Sequence, residues 1–233
     1  MTLTDCRGCW AVEGTERALL FAAEAGTVKR VVVTATMASV CGSQRDANPD
    51  HLWSEADNND APGSAYSKSK TAAESKVWEL AEQHKDKYAV CTVHPGVVLG
   101  SLLEGQAVTS TMGILHGMAK GKVLAMLFGI CDAVDTAEVH LAGLSKKETA
   151  GQRYLVCSKD QYSTLEMAEM AFAAGAAGVD LAAWKADEGV QKMAPKKPST
   201  DNRKVVALLG RELVAPETSV QLAIVTLKAG GHL

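Results

Sequence analysis

The sequence predicts an α/β fold built on a parallel sheet. Two runs rich in β-branched and other apolar residues, 31–36 and 88–94, have the nearly unbroken hydrophobicity of strands buried on both faces. Each run follows a segment with helical periodicity, residues 11–25 and 66–84. Helices that alternate with buried strands are typical of layered α/β domains, in which ligands bind at the carboxyl ends of the strands.

The first predicted strand leads into a long polar loop. Gly26 is placed to end the helix before it, and Thr36 lies at its carboxyl end. Residues 41–64 are rich in Gly, Pro, Asp and Asn. A loop of this length inside a compact domain is often functional, so we expect a site near the end of this strand.

Tyr66 and Lys70 start the next predicted helix. They are four residues apart, so they lie on one helix face, which continues through the apolar residues Ala73, Val77 and Leu80. The pattern therefore predicts a buried face that begins with a tyrosine and a lysine. An ammonium beside a phenol favours the phenolate and lowers the pKa of a tyrosine from about 10. Tyr66 is thus a candidate general acid, although the same spacing also occurs by chance at solvated helix starts.

The second strand is expected to stop at Pro95-Gly96, and beyond residue 100 the periodicity weakens. A further strand is predicted at 153–157 and a Pro/Lys/Ser linker at 194–202. The further predicted helices are 107–120, 135–142 with Asp135 as N-cap, 163–174 with a capping box from Ser163 to Glu166, 203–209 and 217–228. His140 is interpreted as a packed or capping histidine.

The composition is that of a globular protein with 233 residues, 47% of them hydrophobic and 22% charged. A net charge of -3 argues against a nucleic-acid or membrane-surface binder, and no apolar run is long enough to span a bilayer. Cys6 and Cys9 form a CxxC without a second pair at zinc spacing, so no metal site is predicted. The cysteine usage fits a reducing cytosol, and we expect a cytoplasmic location.

Taken in order, the motifs of this chain resemble those of the extended short-chain dehydrogenases/reductases. Within that family they resemble the branch of the dihydroflavonol and cinnamoyl-CoA reductases. The resemblance covers residues 11–233. It is carried by Ala11-Val12-Glu13-Gly14-Thr15, by 31–40 with its strand and hydroxyls, by Tyr66-x-x-x-Lys70, by 94–100, by 132–140, by 151–154 and by 227–231.

The resemblance implies an NAD(P)-binding, Rossmann-like parallel sheet with a smaller C-terminal substrate lobe. It assigns residues 11–100 to the remaining half of the cofactor domain and residues 101–233 mainly to the substrate lobe. It also implies NAD(P)H-dependent chemistry at a carbonyl or secondary alcohol of a small organic substrate. NADPH is the expected cofactor, with NAD as the alternative.

The resemblance assigns catalytic roles to Thr36, Tyr66 and Lys70. Tyr66 would protonate the developing alkoxide, Lys70 would hold the nicotinamide ribose and favour the phenolate, and Thr36 would donate a hydrogen bond to the same oxygen. Ser39 is the second choice for that hydroxyl. The residues implied to bind the cofactor are Tyr66, Lys70, Pro95, Gly96, Val97 and Val98.

The sequence departs from the family at its front. Family members hold the cofactor pyrophosphate with a GxxGxxG turn, whereas Gly8 and Gly14 have the wrong spacing for one. We therefore expect an N-terminally truncated sheet with an open edge, and weak NADPH binding. The alternatives are a non-catalytic remnant that acts as a regulatory or interaction module, a nucleotide-sugar epimerase and a hydroxysteroid dehydrogenase. Monomer and homodimer are both open.

Overall fold

A computed structural model describes residues 6–42, 48–124, 126–191 and 197–233, with side chains from Trp10 onward. The helices of these residues are α1 (Cys6–Ala25), α2 (Ala65–Gln83), α3 (Ser110–Ala119), α4 (Ala133–Ser145), α5 (Thr164–Ala173), α6 (Leu181–Ala186), α7 (Glu188–Gln191), α8 (Arg203–Leu209) and α9 (Pro216–Ala229), with 3-10 turns at Met37–Ser39 and Lys147–Thr149. The strands are β1 (Arg30–Thr34), β2 (Leu52–Trp53), β3 (Ala89–Pro95), β4 (Val97–Leu99), β5 (Leu127–Phe128), β6 (Ile130–Asp132), β7 (Arg153–Val156), β8 (Tyr162–Ser163) and β9 (Ser199–Thr200).

A parallel three-stranded sheet lies at the centre, in the order β1-β3-β7. Val32 of β1 pairs with Cys91 of β3, and Val93 of β3 pairs with Tyr154 of β7. Along β3 every residue after Ala89 is buried, as expected for a strand covered on both faces. The structure thus confirms the predicted α/β fold with a parallel sheet.

Helices cover both faces of this sheet. On one face α1 and α2 pack through Leu19, Val77 and Leu80 against Tyr88 and Val90. On the other face the core is a second cluster, formed by Val93, Cys131, Val139, Ala142, Tyr154, Val156, Val205 and Leu208, with α4 and α8 supplying its helical members. The sheet is therefore the middle layer of three.

Gly143 brings α4 close to the sheet. A Cβ at this position would lie 2.7 Å from Cys91 Sγ and 2.9 Å from Val32 Cγ2. Any side chain would push the helix away from β1 and β3. A glycine in the last turn of this helix is thus explained by packing, which offsets its low helix propensity.

The C-terminal part of the chain builds a separate apolar cluster around α3, α5, α6 and α9. Its largest buried side chains are Leu115, Met118, Phe128, Met167, Trp184, Ile224 and Leu227. Here β4 pairs with β6 in parallel and β5 pairs with β8 antiparallel. However, α4 and β7 belong to the layers of the central sheet, so the chain returns to that sheet after residue 100. The division into 11–100 and 101–233 therefore stays a prediction.

Several predicted boundaries agree with the structure. Gly26 ends α1 with φ +67, α8 occupies 203–209, and Ser163 forms a capping box with Glu166 at the start of α5. Strand β3 ends at Pro95 as expected, but after Gly96 the chain continues directly into β4. Residues 194–196 of the predicted linker lie outside the described residues. Ser199–Thr200, also within it, pairs with β2.

The prediction that Asp135 caps its helix is wrong. The N-cap of α4 is Asp132, whose side chain accepts a hydrogen bond from Val134 N. Asp135 lies in the first turn and is fully buried, where it accepts hydrogen bonds from Arg211 Nη1 at 2.7 Å and from Val214 N at 2.8 Å. A buried carboxylate on the apolar side of a helix needs hydrogen-bond partners from elsewhere in the fold. Local capping rules do not take such partners into account.

Candidate active site

A cavity of about 630 Å³ lies at the carboxyl ends of β1 and β3, beside the N-terminus of α2. None of the lining residues that the structure describes has a charged side chain. They are Thr36, Met37, Ala38, Cys41, Gly42, Ser64, Tyr66, Ser67, Pro95, Gly96, Val97, Ser110, Thr111, Ile114, Met126, Leu127 and Gly129. The site therefore combines an apolar wall with several hydroxyl groups, the composition of a pocket for a small neutral molecule.

Most of the residues singled out from the sequence meet at this cavity. Its lining includes Thr36, Tyr66, Pro95, Gly96 and Val97. The structure does not bring the other two to the lining. Lys70 lies one helical turn behind Tyr66, and Val98 packs in β4, paired with Cys131. Strand ends and a helix start thus bring together residues that are far apart in sequence.

The position of Tyr66 follows from the cap of α2. The Ser64 side chain accepts a hydrogen bond from Ser67 N at 3.0 Å and fixes the first turn, so that Tyr66 faces the cavity. Lys70 Nζ lies 5.9 Å from the centroid of the tyrosine ring. At this distance the ammonium is attracted to the face of the ring.

The expectation that Tyr66 begins a buried face is wrong. Its side chain is 56% exposed, and Lys70 is half-buried. The buried face of α2 begins at Ser67 instead and continues through Glu74. Tyr66 lies in the first helical turn, above the sheet edge, so the packing that covers Val77 does not extend to it.

Thr36 lies just beyond β1 and is the N-cap of the 3-10 turn at Met37–Ser39. Its Oγ1 accepts a hydrogen bond from Ala38 N at 3.2 Å, and its carbonyl accepts one from Ser39 Oγ at 2.8 Å. Because the hydroxyl already accepts, its own proton is left for donation to a ligand in the cavity. Hydrogen bonds therefore hold both the side chain and the carbonyl group of Thr36.

Ser39, the second choice from the sequence, is 1% exposed and absent from the cavity lining. Its hydroxyl supports the Thr36 carbonyl. His140 has hydrogen-bond partners on both ring nitrogens, Thr136 O and Thr34 Oγ1, each at 2.7 Å. This geometry agrees with its interpretation as a packed histidine.

A buried polar cluster lies behind Thr36. The Glu74 carboxylate is 3.2 Å from His94 Nε2 and accepts hydrogen bonds from Arg153 Nε at 2.8 Å and from Trp78 Nε1 at 3.2 Å. Burial by itself would raise the pKa of Glu74. Hydrogen bonding and positive charge from His94, with further contributions from Ser39 and Arg153, lower that pKa to about 2.

This cluster was not predicted from the sequence. A signal for it was present, because Glu74 falls on the apolar face of α2 beside Ala73 and Val77, and a carboxylate is almost never fully buried without a partner. The partner itself could not be inferred, since Arg153 lies 79 residues further along the chain.

The described residues fit one half of a nicotinamide dinucleotide. The reduced nicotinamide ring of NADPH and its amide are neutral, as are the lining residues that the structure describes, and the volume lies in the range of small-molecule pockets. Gly96 lines the cavity with backbone alone, since a Cβ at this position would lie 2.1 Å from Gly129 O. For the pyrophosphate, the described part of the chain contains no glycine-rich turn between a strand and a helix.

Other kinds of site receive no support from the described residues. Within them, no three His, Cys, Asp or Glu side chains are arranged to hold a metal ion, and the side chains of Cys6 and Cys9 lie outside them. No helix among these residues is both long enough and apolar enough to cross a bilayer.

Comparison with known proteins agrees with this architecture. Residues 8–140 match the model of an NAD-binding family described as male sterility protein. The NADPH-dependent methylglyoxal reductase GRE2 of Saccharomyces cerevisiae is 27% identical over 180 residues, which cover 64% of this chain and 53% of that protein. Cinnamoyl-CoA reductase 2 of Medicago truncatula is 35% identical over 156 residues, which cover 63% of this chain and 44% of that protein.

The chain thus spans about half the length of these relatives. Among solved structures, that of yeast methylglyoxal/isovaleraldehyde reductase Gre2 complexed with NADPH matches with a TM-score of 0.80 and 22% identity, covering 96% of this chain and 71% of that one. At this identity the match shows the shared fold.

Proposed function

The chain belongs to the NAD-binding family described as male sterility protein, among the extended short-chain dehydrogenases/reductases of the dihydroflavonol and cinnamoyl-CoA reductase branch, and we propose that it reduces the carbonyl group of a small neutral molecule with NADPH. The observation that carries the proposal is the shared cavity. A phenol from α2 and a hydroxyl from the end of β1 line the same uncharged space. This is the arrangement that protonation of a developing alkoxide requires.

Bound NADPH would supply the hydride, and the protein would supply the proton and the positioning. Tyr66 Oη donates its proton to the carbonyl oxygen of the substrate. Thr36 Oγ1 donates a hydrogen bond to the same oxygen and fixes its position. The Lys70 ammonium, 5.9 Å from the centroid of the Tyr66 ring, would favour the phenolate that remains and would hold hydroxyl groups of the nicotinamide ribose.

The nicotinamide half of the cofactor would be held by Pro95, Gly96 and Val97 on one side and by Tyr66 on the other. These residues also exclude water from the reacting atoms, since Pro95 is buried and Val97 is half-buried.

The uncharged lining favours a neutral carbonyl compound over a nucleotide sugar. Binding a diphosphate would require Arg, Lys or a glycine-rich helix start near the cavity. None of these is among the lining residues that the structure describes. A hydroxysteroid would use the same chemistry, so that alternative differs only in the shape of the substrate.

Tyr66→Phe tests the proposal directly. The variant removes the proton donor and leaves the ring, so we expect kcat to fall by about 10²- to 10⁴-fold with the melting temperature unchanged. Tyr88→Phe is the matched control, because the Tyr88 hydroxyl is buried and Tyr88 is not a lining residue of this cavity. The measurement is aldehyde reduction at NADPH concentrations raised to saturation. Equal turnover in Tyr66→Phe and wild type would end the assignment.

A further inference from the structure

The buried cluster behind Thr36 connects the active site to an ion pair. His94 Nδ1 lies 3.3 Å from Thr36 O and 3.3 Å from Ser39 Oγ. On its other side, Nε2 lies 2.8 Å from Thr92 Oγ1 and 3.2 Å from Glu74 Oε1. His94 is 0% exposed, and Glu74 is 6% exposed. One buried imidazole therefore bridges the end of β1 and helix α2.

Hydrogen-bond acceptors lie on both sides of the His94 ring. A carbonyl oxygen and a carboxylate oxygen only accept hydrogen bonds; the Thr36 carbonyl faces Nδ1 and the Glu74 carboxylate faces Nε2. Glu74 is fixed in turn by one edge of the Arg153 guanidinium, where Nε donates to Oε1 and Nη2 donates to Oε2.

Arg153 extends the cluster to the long loop. Its Nη1 donates to the carbonyls of Glu55 and Asp57, each at 2.7 Å. One set of charge-assisted hydrogen bonds thus joins the loop, strand β7, helix α2 and the end of β1.

We propose that His94 and Glu74 are positioning residues for the reduction, holding the Thr36 peptide so that its hydroxyl faces the cavity. The inference rests on the proposed function. Thr36 is fixed at its carbonyl by Ser39 and His94 and at Oγ1 by Ala38 N, so loss of the first anchor frees the residue to rotate.

Stability alone does not account for this cluster. A buried ion pair is weak support for a fold, because well-packed apolar residues of similar volume often do as well. Here His94, one member of the pair, contacts the backbone carbonyl of Thr36, whose hydroxyl the proposed reaction uses. A displacement of about 1 Å at such a group can cost about 10²-fold in rate.

The test compares His94→Ala with His94→Asn, whose side-chain amide can donate from nearly the same position as Nδ1. His140→Ala is the matched control, since His140 also has partners on both nitrogens but does not contact Thr36. Two quantities are measured: kcat and KM for an aldehyde at saturating NADPH, and the hydrogen exchange of the amides of residues 38–41.

We expect His94→Ala to lower kcat by about 10²-fold with a much smaller change in KM, and to speed exchange in residues 38–41 selectively. His94→Asn should recover most of both. Ser39→Ala, which removes the donor at 2.8 Å from Thr36 O with little change in volume, should act in the same direction even if His94→Ala does not fold.

Unchanged exchange at residues 38–41 in both His94→Ala and Ser39→Ala would overturn the inference, whatever the turnover. So would an equal kcat in His94→Ala and His140→Ala. Because the exchange measurement needs no substrate, it is independent of Tyr66→Phe, which alone decides whether the cavity is a reductase site.

Discussion

The two walls of the cavity are built differently. The wall at the end of β1 is anchored, because Thr36 is hydrogen-bonded on both sides and lies on a buried cluster of His94, Glu74 and Arg153. The wall from α2 is open, since Tyr66 is 56% exposed and its contact with Lys70 spans 5.9 Å. One wall is therefore held by buried contacts, whereas the Tyr66 side chain on the other is exposed to water.

This difference separates stability from chemistry. Changes beneath the anchored wall remove buried partners and should lower the free energy of unfolding. Changes on the open wall remove a group that water can reach and should alter the rate with little effect on the fold. A variant that fails to follow this division would show that the two walls are not distinct.

Glu74→Ala should have the largest effect on stability. It leaves His94 and Arg153 without their shared carboxylate, and breaking a buried pair in this way typically costs about 3–5 kcal/mol. Glu79→Ala, on the same helix, removes an exposed pair with Lys76 and should change the free energy of unfolding far less. Denaturant unfolding measures both. Similar values for the two variants would contradict the distinction between the walls.

Thr36→Val tests the group that the anchored wall presents. The substitution removes a hydroxyl donor at the reacting oxygen, so kcat should fall by about 10²- to 10³-fold, while Thr36→Ser should keep most of the rate. Thr34→Val is the control, because Thr34 lies two residues earlier and contacts His140 outside the cavity lining. If Thr36→Val turned over as fast as Thr36→Ser, the hydroxyl would have no catalytic role.

Acid should weaken the anchored wall selectively. The pKa of Glu74 is about 2 in the folded chain, below its ordinary value of 4.5, so the unfolded chain binds this proton at a higher pH than the folded chain does. The stability that Glu74 contributes is therefore fully present above about pH 4.5 and is lost as pH falls toward 2. Unfolding experiments over this range should show a shallower dependence in Glu74→Gln. An identical dependence in both proteins would contradict the lowered pKa.

Local patterns predicted much of the fold. Two nearly unbroken apolar runs predicted strands β1 and β3, although β1 lies at the edge of the sheet and is only half-buried, so its predicted burial on both faces is wrong. Gly26 predicted a helix end and the Ser163–Glu166 spacing predicted a capping box, because each depends on interactions within a few residues. The position of the cavity was also predicted in part, since the carboxyl ends of neighbouring parallel strands must share one edge of the sheet.

Features that depend on distant partners were missed or misread. Asp135 resembles a cap in sequence, but Arg211 and Val214 draw its carboxylate inward. The exposure of Tyr66 depends on where α2 crosses the sheet edge, which the helical period does not fix. Glu74 pairs with Arg153 across 79 residues, a contact that only the folded chain reveals.

A double-mutant cycle of Tyr66→Phe and Thr36→Val tests most directly whether the two walls act on one oxygen. Rates of aldehyde reduction at saturating NADPH would be compared for the wild type, both single variants and the double variant. Because both groups stabilise the same developing alkoxide, we expect the double variant to lose much less than the product of the two single losses. Losses that multiply would show that Tyr66 and Thr36 work independently and would contradict a single reductase site between the two walls.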